Sequence, residues 1–202
     1  MDLEIRTARA DDVGPIAELM YSSGSDLYDY LYRTDTLDFL RHEFASAKGF
    51  AGYPQVTVAI QQGEVVGTGC FYDRKHYDHL LQGTIKNMTA YFGYLGVVPV
   101  MLRSRHLKSV MRAPKPGEIY LSNFGVSPRC RSQGIGTRMI QHKLSQAREQ
   151  GYELFGLDVS VANPRGQALY SRLGLKVVKE KSFSNPRAGV SSARKMELGL
   201  LP

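Results

Sequence analysis

From Val126 to Thr137 the chain reads Val-Ser-Pro-Arg-Cys-Arg-Ser-Gln-Gly-Ile-Gly-Thr. A strand ends, a loop of small and basic residues follows, and a helix starts at the glycines. Glycine lets a backbone approach a ligand closely. The free N–H groups and positive dipole end of a helix favour phosphate. Arg129, Arg131 and Arg138 add charge. This loop is expected to hold a pyrophosphate. It lacks the Gly-Lys-Ser/Thr ending of a nucleotide triphosphatase, because Gly136-Thr137 runs into Arg138 with no Lys before it. It also lacks the third glycine of the dinucleotide fingerprint. Taken alone, the spacing is equally that of a helix start with glycines for packing.

A second segment, just past the next strand, narrows the choice. It reads Asn163-Pro-Arg-Gly-Gln-Ala-Leu-Tyr170-Ser-Arg-Leu173-Gly174-Leu175. With both segments in order, the sequence resembles the GNAT superfamily of acyl-CoA-dependent N-acetyltransferases. The phosphate loop of that family, Arg/Gln-x-x-Gly-x-Gly/Ala, is matched by Arg131, Gly134 and Gly136. Its next segment is matched by Asn163, Ala168, Leu169, Tyr170, Leu173 and Gly174, with Leu175 replacing the usual Phe. Ile5-Arg6-x-Ala8-x-x-x-Asp12 is similar to the family's opening strand and helix. The resemblance is absent over 73–117, which looks like an insertion.

The resemblance implies a mixed, mostly antiparallel α/β sheet with a splayed parallel strand pair and helices on both faces, forming a single domain over 1–202. It implies that acetyl-CoA wedges between the splayed strands as co-substrate. The backbone of Phe124, Gly125 and Val126 then pairs with the pantetheine arm, and the Val126 N–H polarises the thioester carbonyl. Backbone N–H groups of Arg131, Ser132, Gln133, Gly134, Ile135, Gly136 and Thr137 bind the pyrophosphate. Asn163 contacts the pantetheine or organises the thiol end, and Tyr170 sits near the sulfur.

The chemistry fits these roles. An N–H aimed at an oxygen that gains negative charge stabilises the transition state. Tyr170 gives a hydrogen bond to the departing thiolate. A phenol near 10 against a thiol near 8.5 makes full proton transfer uphill, so hydrogen bonding is the expected role. A buried packing aromatic is the bland reading of the same residue. A protonated amine must lose its proton before attack. The strand before the loop carries one acid, Glu118, with Tyr120 nearby. Each is expected to be structural or solvated, and no base is assigned.

Local pattern supplies the elements that position these residues. Leu3–Thr7 alternates as a strand, and Asp11-Asp12 precede a helix that Ser22–Ser25 breaks. A second helix is expected within Thr36–Lys48. Val56–Ile60 and Val65–Tyr72 form a hairpin about Gln61–Glu64. Residues 73–117 read as helices and loops with a Pro-rich re-entry linker. Strands follow at Glu118–Val126, Leu154–Val161, Leu175–Lys181 and Lys195–Leu200, with helices at Gly134–Gln150 and Pro164–Leu173. Strand-helix-strand over 118–161 requires a parallel pair.

Composition bounds the rest. With 43% hydrophobic and 22% charged residues in 202, the chain is an ordinary globular protein. Met88–Leu102 is apolar but interrupted, so no spanning helix is expected. Acids near the N-terminus do not suit a secretory signal, and a soluble cytoplasmic protein with no membrane partner is expected. Two cysteines make no disulfide framework, and no metal spacing is present. Net charge is +7. Residues 73–117 hold eight bases and two acids, yet carry no nucleic-acid motif, so no nucleic-acid partner is expected. Met88–Leu102 needs burial, over the acceptor side or in a homodimer. Asp26, Asp29, Asp35 and Asp38 would favour a cationic amine if they border the acceptor, or are simply solvated. Tyr21, Tyr28, Tyr30 and Tyr32 line a pocket or pack the helices. The expected activity is acetyl transfer to a primary amine by direct attack in a ternary complex. The alternative is a CoA-responsive sensor without turnover.

Overall fold

The computed structural model describes residues 3–201. Seven strands form one sheet in the order β1-β2-β3-β4-β5-β7-β6. They are β1 (Leu3–Thr7), β2 (Val56–Gln61), β3 (Glu64–Asp73), β4 (Glu118–Val126), β5 (Leu154–Ser160), β6 (Lys176–Lys181) and β7 (Ala193–Gly199). Every neighbouring pair is antiparallel except β4 and β5. This is the mixed, mostly antiparallel architecture that the sequence implies.

The helices are α1 (Val13–Tyr21), α2 (Ser25–Tyr32), α3 (Thr36–Ala45), α4 (Arg74–Ser104), α5 (Ile135–Glu149) and α6 (Pro164–Arg172). Helix α5 turns Ile135, Met139, Ile140, Leu144 and Ala147 inward, the spacing of an amphipathic helix. Ile140, Leu144 and Ala147 meet Phe71, Leu121, Phe155, Leu157 and Met196 from the sheet, while Ile135 and Met139 meet Ala59 and Val66. On the other face, Ile16, Ala17 and Met20 of α1 and Leu40 and Phe44 of α3 cover Val56, Val58 and Cys70. Full burial of each such aliphatic or aromatic side chain contributes about 1.5–3 kcal/mol.

Two segments depart from the expected elements. The chain breaks at Ser22–Gly24 but resumes as α2, because Leu31 and Tyr32 are buried against Phe39, Met88 and Val100. Residues 74–104 run as one helix interrupted only at Gly93, where φ is 72°. Gly93 and Pro99 read locally as breakers. Packing of Met88, Val97 and Val100 on α2 and α3 keeps helix on both sides of the kink.

The feature that makes a site lies between β4 and β5. They pair only from Glu118↔Leu154 to Leu121↔Leu157. Beyond that, β4 stays with β3 as far as Gly67↔Val126, while β5 stays with β7 as far as Ser160↔Ala193. A gap therefore opens inside the sheet. A bulge in β4 helps to open it, since Thr68↔Gly125 and Cys70↔Ser122 leave one extra residue on β4. Asn123, at φ 51°, lies in that bulge.

Candidate active site

The gap continues into a cleft of about 730 Å³. One wall is Phe124, Gly125 and Val126 of β4. Ser127 N–H donates to Val66 O at 2.8 Å. By strand alternation the N–H and C=O of Val126 point the other way, into the gap. There the Val126 carbonyl accepts from Arg131 Nε at 3.2 Å. Gly125 faces α1, where a Cβ would collide with the Leu19 carbonyl oxygen, so only glycine lets helix and strand approach this closely.

At one end of the cleft the loop after β4 turns into α5. Its last residue, Gly134, sits at φ 79° and puts no side chain over the helix start. The first intrahelical bond comes from Arg138 N–H to Gly134 O. The N–H groups of Ile135, Gly136 and Thr137 therefore lack partners among the described residues, as do those of the loop from Arg131 to Gly134. This is a row of free donors at a positive helix end. Gln133 is the one expected binding residue whose side chain lies outside the lining; it donates to the Arg129 carbonyl at 3.3 Å. Arg129 and Arg138 do not line the cleft either. Its cations are Arg131, Arg165 and Arg172, and Arg165 reaches Ser132 Oγ at 3.3 Å. Arg165 lies in the segment that singles out Asn163, but one segment of sequence does not reveal which guanidinium faces which loop.

The wall opposite β4 is the start of α6. Asn163 lines the cleft and caps the helix, its Oδ1 accepting from Gly166 N–H at 2.9 Å. Tyr170 is buried, with its ring 6.3 Å from that of Phe124. Its hydroxyl makes no hydrogen bond among the described residues, and burial holds its pKa well above the ordinary phenol value. It remains a donor at every working pH.

The lining is completed by the α1–α2 turn, Ser22 to Asp26, together with Gly189 and Ser191. Among the described residues, Asp26 is the single acid in the lining. Its oxygens accept from Leu27 N–H and Ser191 N–H, both at 2.8 Å. Asp29 instead binds Tyr21 at 3.0 Å, and Asp38 pairs with Arg41. None of Tyr21, Tyr28, Tyr30 and Tyr32 lines the cleft; they pack the helices.

Neither base candidate on β4 is free. Glu118 is fully buried and accepts from Arg112 and from Lys115 N–H, both at 2.6 Å. Tyr120 donates to Asp158 at 2.8 Å, and Lys181 holds the other Asp158 oxygen at 3.0 Å. These contacts tie β4, β5 and β6 together beside the gap. His76 binds Asp73 and His106 binds Ser184. No group of three metal-ligating side chains occurs among the described residues.

Three comparisons bear on this geometry. Residues 24–175 match the Acetyltransferase (GNAT) family. The chain is 25% identical over 130 residues to N-alpha-acetyltransferase 50 of Danio rerio, covering 64% of this chain and 74% of that one. Its fold matches an N-acetyltransferase from Staphylococcus aureus Mu50 with TM-score 0.70 at 18% identity, over 96% and 100% of the two chains. It also matches yncA from Salmonella typhimurium, a putative acetyltransferase solved with acetyl-CoA, with TM-score 0.58 at 17% identity, over 100% and 96%. The family match spans the strand pair that parts after Leu121 and the loop that follows it, and the chain belongs to the GNAT acetyltransferase family.

Proposed function

We propose that the protein transfers the acetyl group of acetyl-CoA to a primary amine, by direct attack while both are bound. The observation that carries this reading is the cleft itself. Free backbone donors, a buried tyrosine that burial keeps protonated and an acid line one cleft.

The residues present suit acetyl-CoA. The unpartnered N–H groups from Arg131 to Thr137, with Arg165 and Arg172 beside them, suit a pyrophosphate. The edge of β4 at Phe124–Val126 has no strand partner on its β5 side and suits an extended amide chain. Acetyl-CoA supplies the acyl group, activated as a thioester. The chain's part is to place the Val126 N–H where negative charge develops and the Tyr170 hydroxyl where a thiolate departs. Asn163 keeps the start of α6 in register with that wall. Among the described residues Asp26 is the only acid in the lining, and both its oxygens already accept backbone N–H groups, so in this reading it holds the amine's charge while water carries the proton away. Asp26, among serine hydroxyls, favours a polar, cationic amine.

Calorimetry with acetyl-CoA tests the reading. Tight binding by the wild type and its loss in Gly134→Glu, which sets a carboxylate at the donor row, is the expected result. CoA release with an amine panel then tests turnover. Binding without release from any amine would make the protein a CoA-responsive sensor, and no binding by folded wild type would overturn the proposal.

A further inference from the structure

Beyond the kink at Gly93, helix α4 carries an apolar face that the fold leaves uncovered. Tyr94 is 86% exposed, Leu95 89%, Val98 50%, Met101 40% and Leu102 54%. Their spacing, i, i+1, i+4, i+7 and i+8, is one helix face. The opposite face, Val97 and Val100, is buried on α2 and α3. The expectation that Met88–Leu102 would be covered therefore holds for only half of the segment. No charged side chain occurs from Asn87 to Leu102. Exposed Arg105 continues the same face, and exposed Lys108 follows it. Arg33 approaches Arg103 at this end of the helix, where burial and then the Arg33 charge lower the Arg103 pKa.

We infer that this face docks on an anionic lipid surface. A helix that is apolar on one side and basic at its end lies in the boundary between headgroups and acyl chains, its cations drawn to acidic lipids. Tyr94, apolar with a single polar tip, suits that depth. The exposed face from Tyr94 to Leu102 offers only this one side-chain polar group, whereas a protein interface is rimmed by hydrogen-bonding groups. A second copy fits less well. The only acid in residues 74–117 is Asp78, already paired with Arg74 at 2.9 Å, so the segment brings no acid to meet the Arg105 and Lys108 of a twin. No helix among the described residues is long and apolar enough to cross a membrane, so the contact is peripheral.

The test is cosedimentation with vesicles of phosphatidylcholine, with and without phosphatidylserine, on the full chain. Wild type is expected to bind the phosphatidylserine vesicles, weakening as salt rises. The double variant Leu95→Asp, Val98→Asp is expected to lose at least about tenfold in partitioning. Both sites are exposed, so its thermal unfolding stays at the wild-type midpoint. Arg105→Glu is expected to weaken binding while leaving the apolar face intact. Absence of binding at low salt, or equal binding by the Asp variant, overturns the inference. So does a wild-type dimer by light scattering that the Asp variant converts to monomer, since the face would then belong to a second copy.

Discussion

The hydroxyl of Tyr28 donates to Oδ1 of Asn123 at 2.7 Å, joining helix α2 to the bulge that opens the sheet. Asn123 stands in the left-handed region, which asparagine tolerates better than most residues. Three residues on is Val126, whose N–H faces the gap. Tyr28 is thus a positioning residue for the β4 wall. Tyr28→Phe leaves the half-buried amide oxygen without its donor, at a cost near the lower end of about 1–3 kcal/mol. The expected result is a thermal midpoint lowered by roughly 2–10 °C and a kcat that falls more than KM for the acyl donor. A variant with lowered stability and unchanged kcat would reduce Tyr28 to a packing residue.

Tyr170 carries the next prediction. Its hydroxyl has no protein partner among the described residues, and burial keeps it protonated. Tyr170→Phe is expected to lower kcat by about ten- to a hundredfold with little change in acetyl-CoA affinity, the pattern of a contact made only in the transition state. The sign of the pKa shift adds a second check. A raised phenol does not ionise as pH climbs toward its ordinary value. Wild type should therefore show no activity loss from this group on the alkaline side, and the two proteins should share one alkaline limb. A wild-type limb that the Phe variant lacks would contradict the role.

Among the described residues, Asp26 is the lone acid against three arginines in the cleft lining. Each of its oxygens accepts one backbone N–H and keeps acceptor capacity to spare. Asp26→Asn is expected to raise KM about tenfold for acceptors with a second cationic group. Amines without one should be nearly unaffected, and acetyl-CoA binding should be unchanged. Equal losses for both amine types would show that the residue only braces Ser191.

What the sequence revealed of this site was decided by short-range chemistry. Helix starts are expected at the Gly134 glycines and at Pro164, and both are present, with Gly134 left-handed and Asn163 as the cap. The strand pair parts after Leu121 within the strand expected at Glu118–Val126. Contacts between distant segments were hidden. Arg129 and Arg138 carry the same charge as Arg165 and Arg172, and only folding decides which pair faces the cleft. Helix α2 was missed because the burial of Leu31 and Tyr32 against Met88 and Val100, far along the chain, stabilises it. Glu118 and Tyr120 were isolated polar residues until Arg112 and Asp158 came beside them.

Glu43, on the buried side of α3, belongs to the same class of long-range contact. It packs against α4, where Thr84 donates to it, and the backbone N–H groups of Phe50 and Ala51 and the Asn87 side chain also bear on it. Desolvation outweighs these donors and lifts its pKa to about 7. The folded protein therefore retains a proton that the unfolded chain releases nearer the ordinary carboxylate value. Between those two values the native state binds more protons, so stability is highest at the acid end of the window and falls as pH rises toward 7. The full loss is roughly 3 kcal/mol at neutral pH, by the usual conversion of a pKa shift. Glu43→Gln keeps the shape and cannot ionise. It is expected to flatten the decline in thermal midpoint between pH 5 and pH 7.5 (~4.5 to ~7 brackets the titration) and to be the more stable protein at the upper end. A wild-type midpoint that rises across this window, with the Gln variant parallel to it, would show that Glu43 is ionised in the folded state and that its four donors prevail over burial.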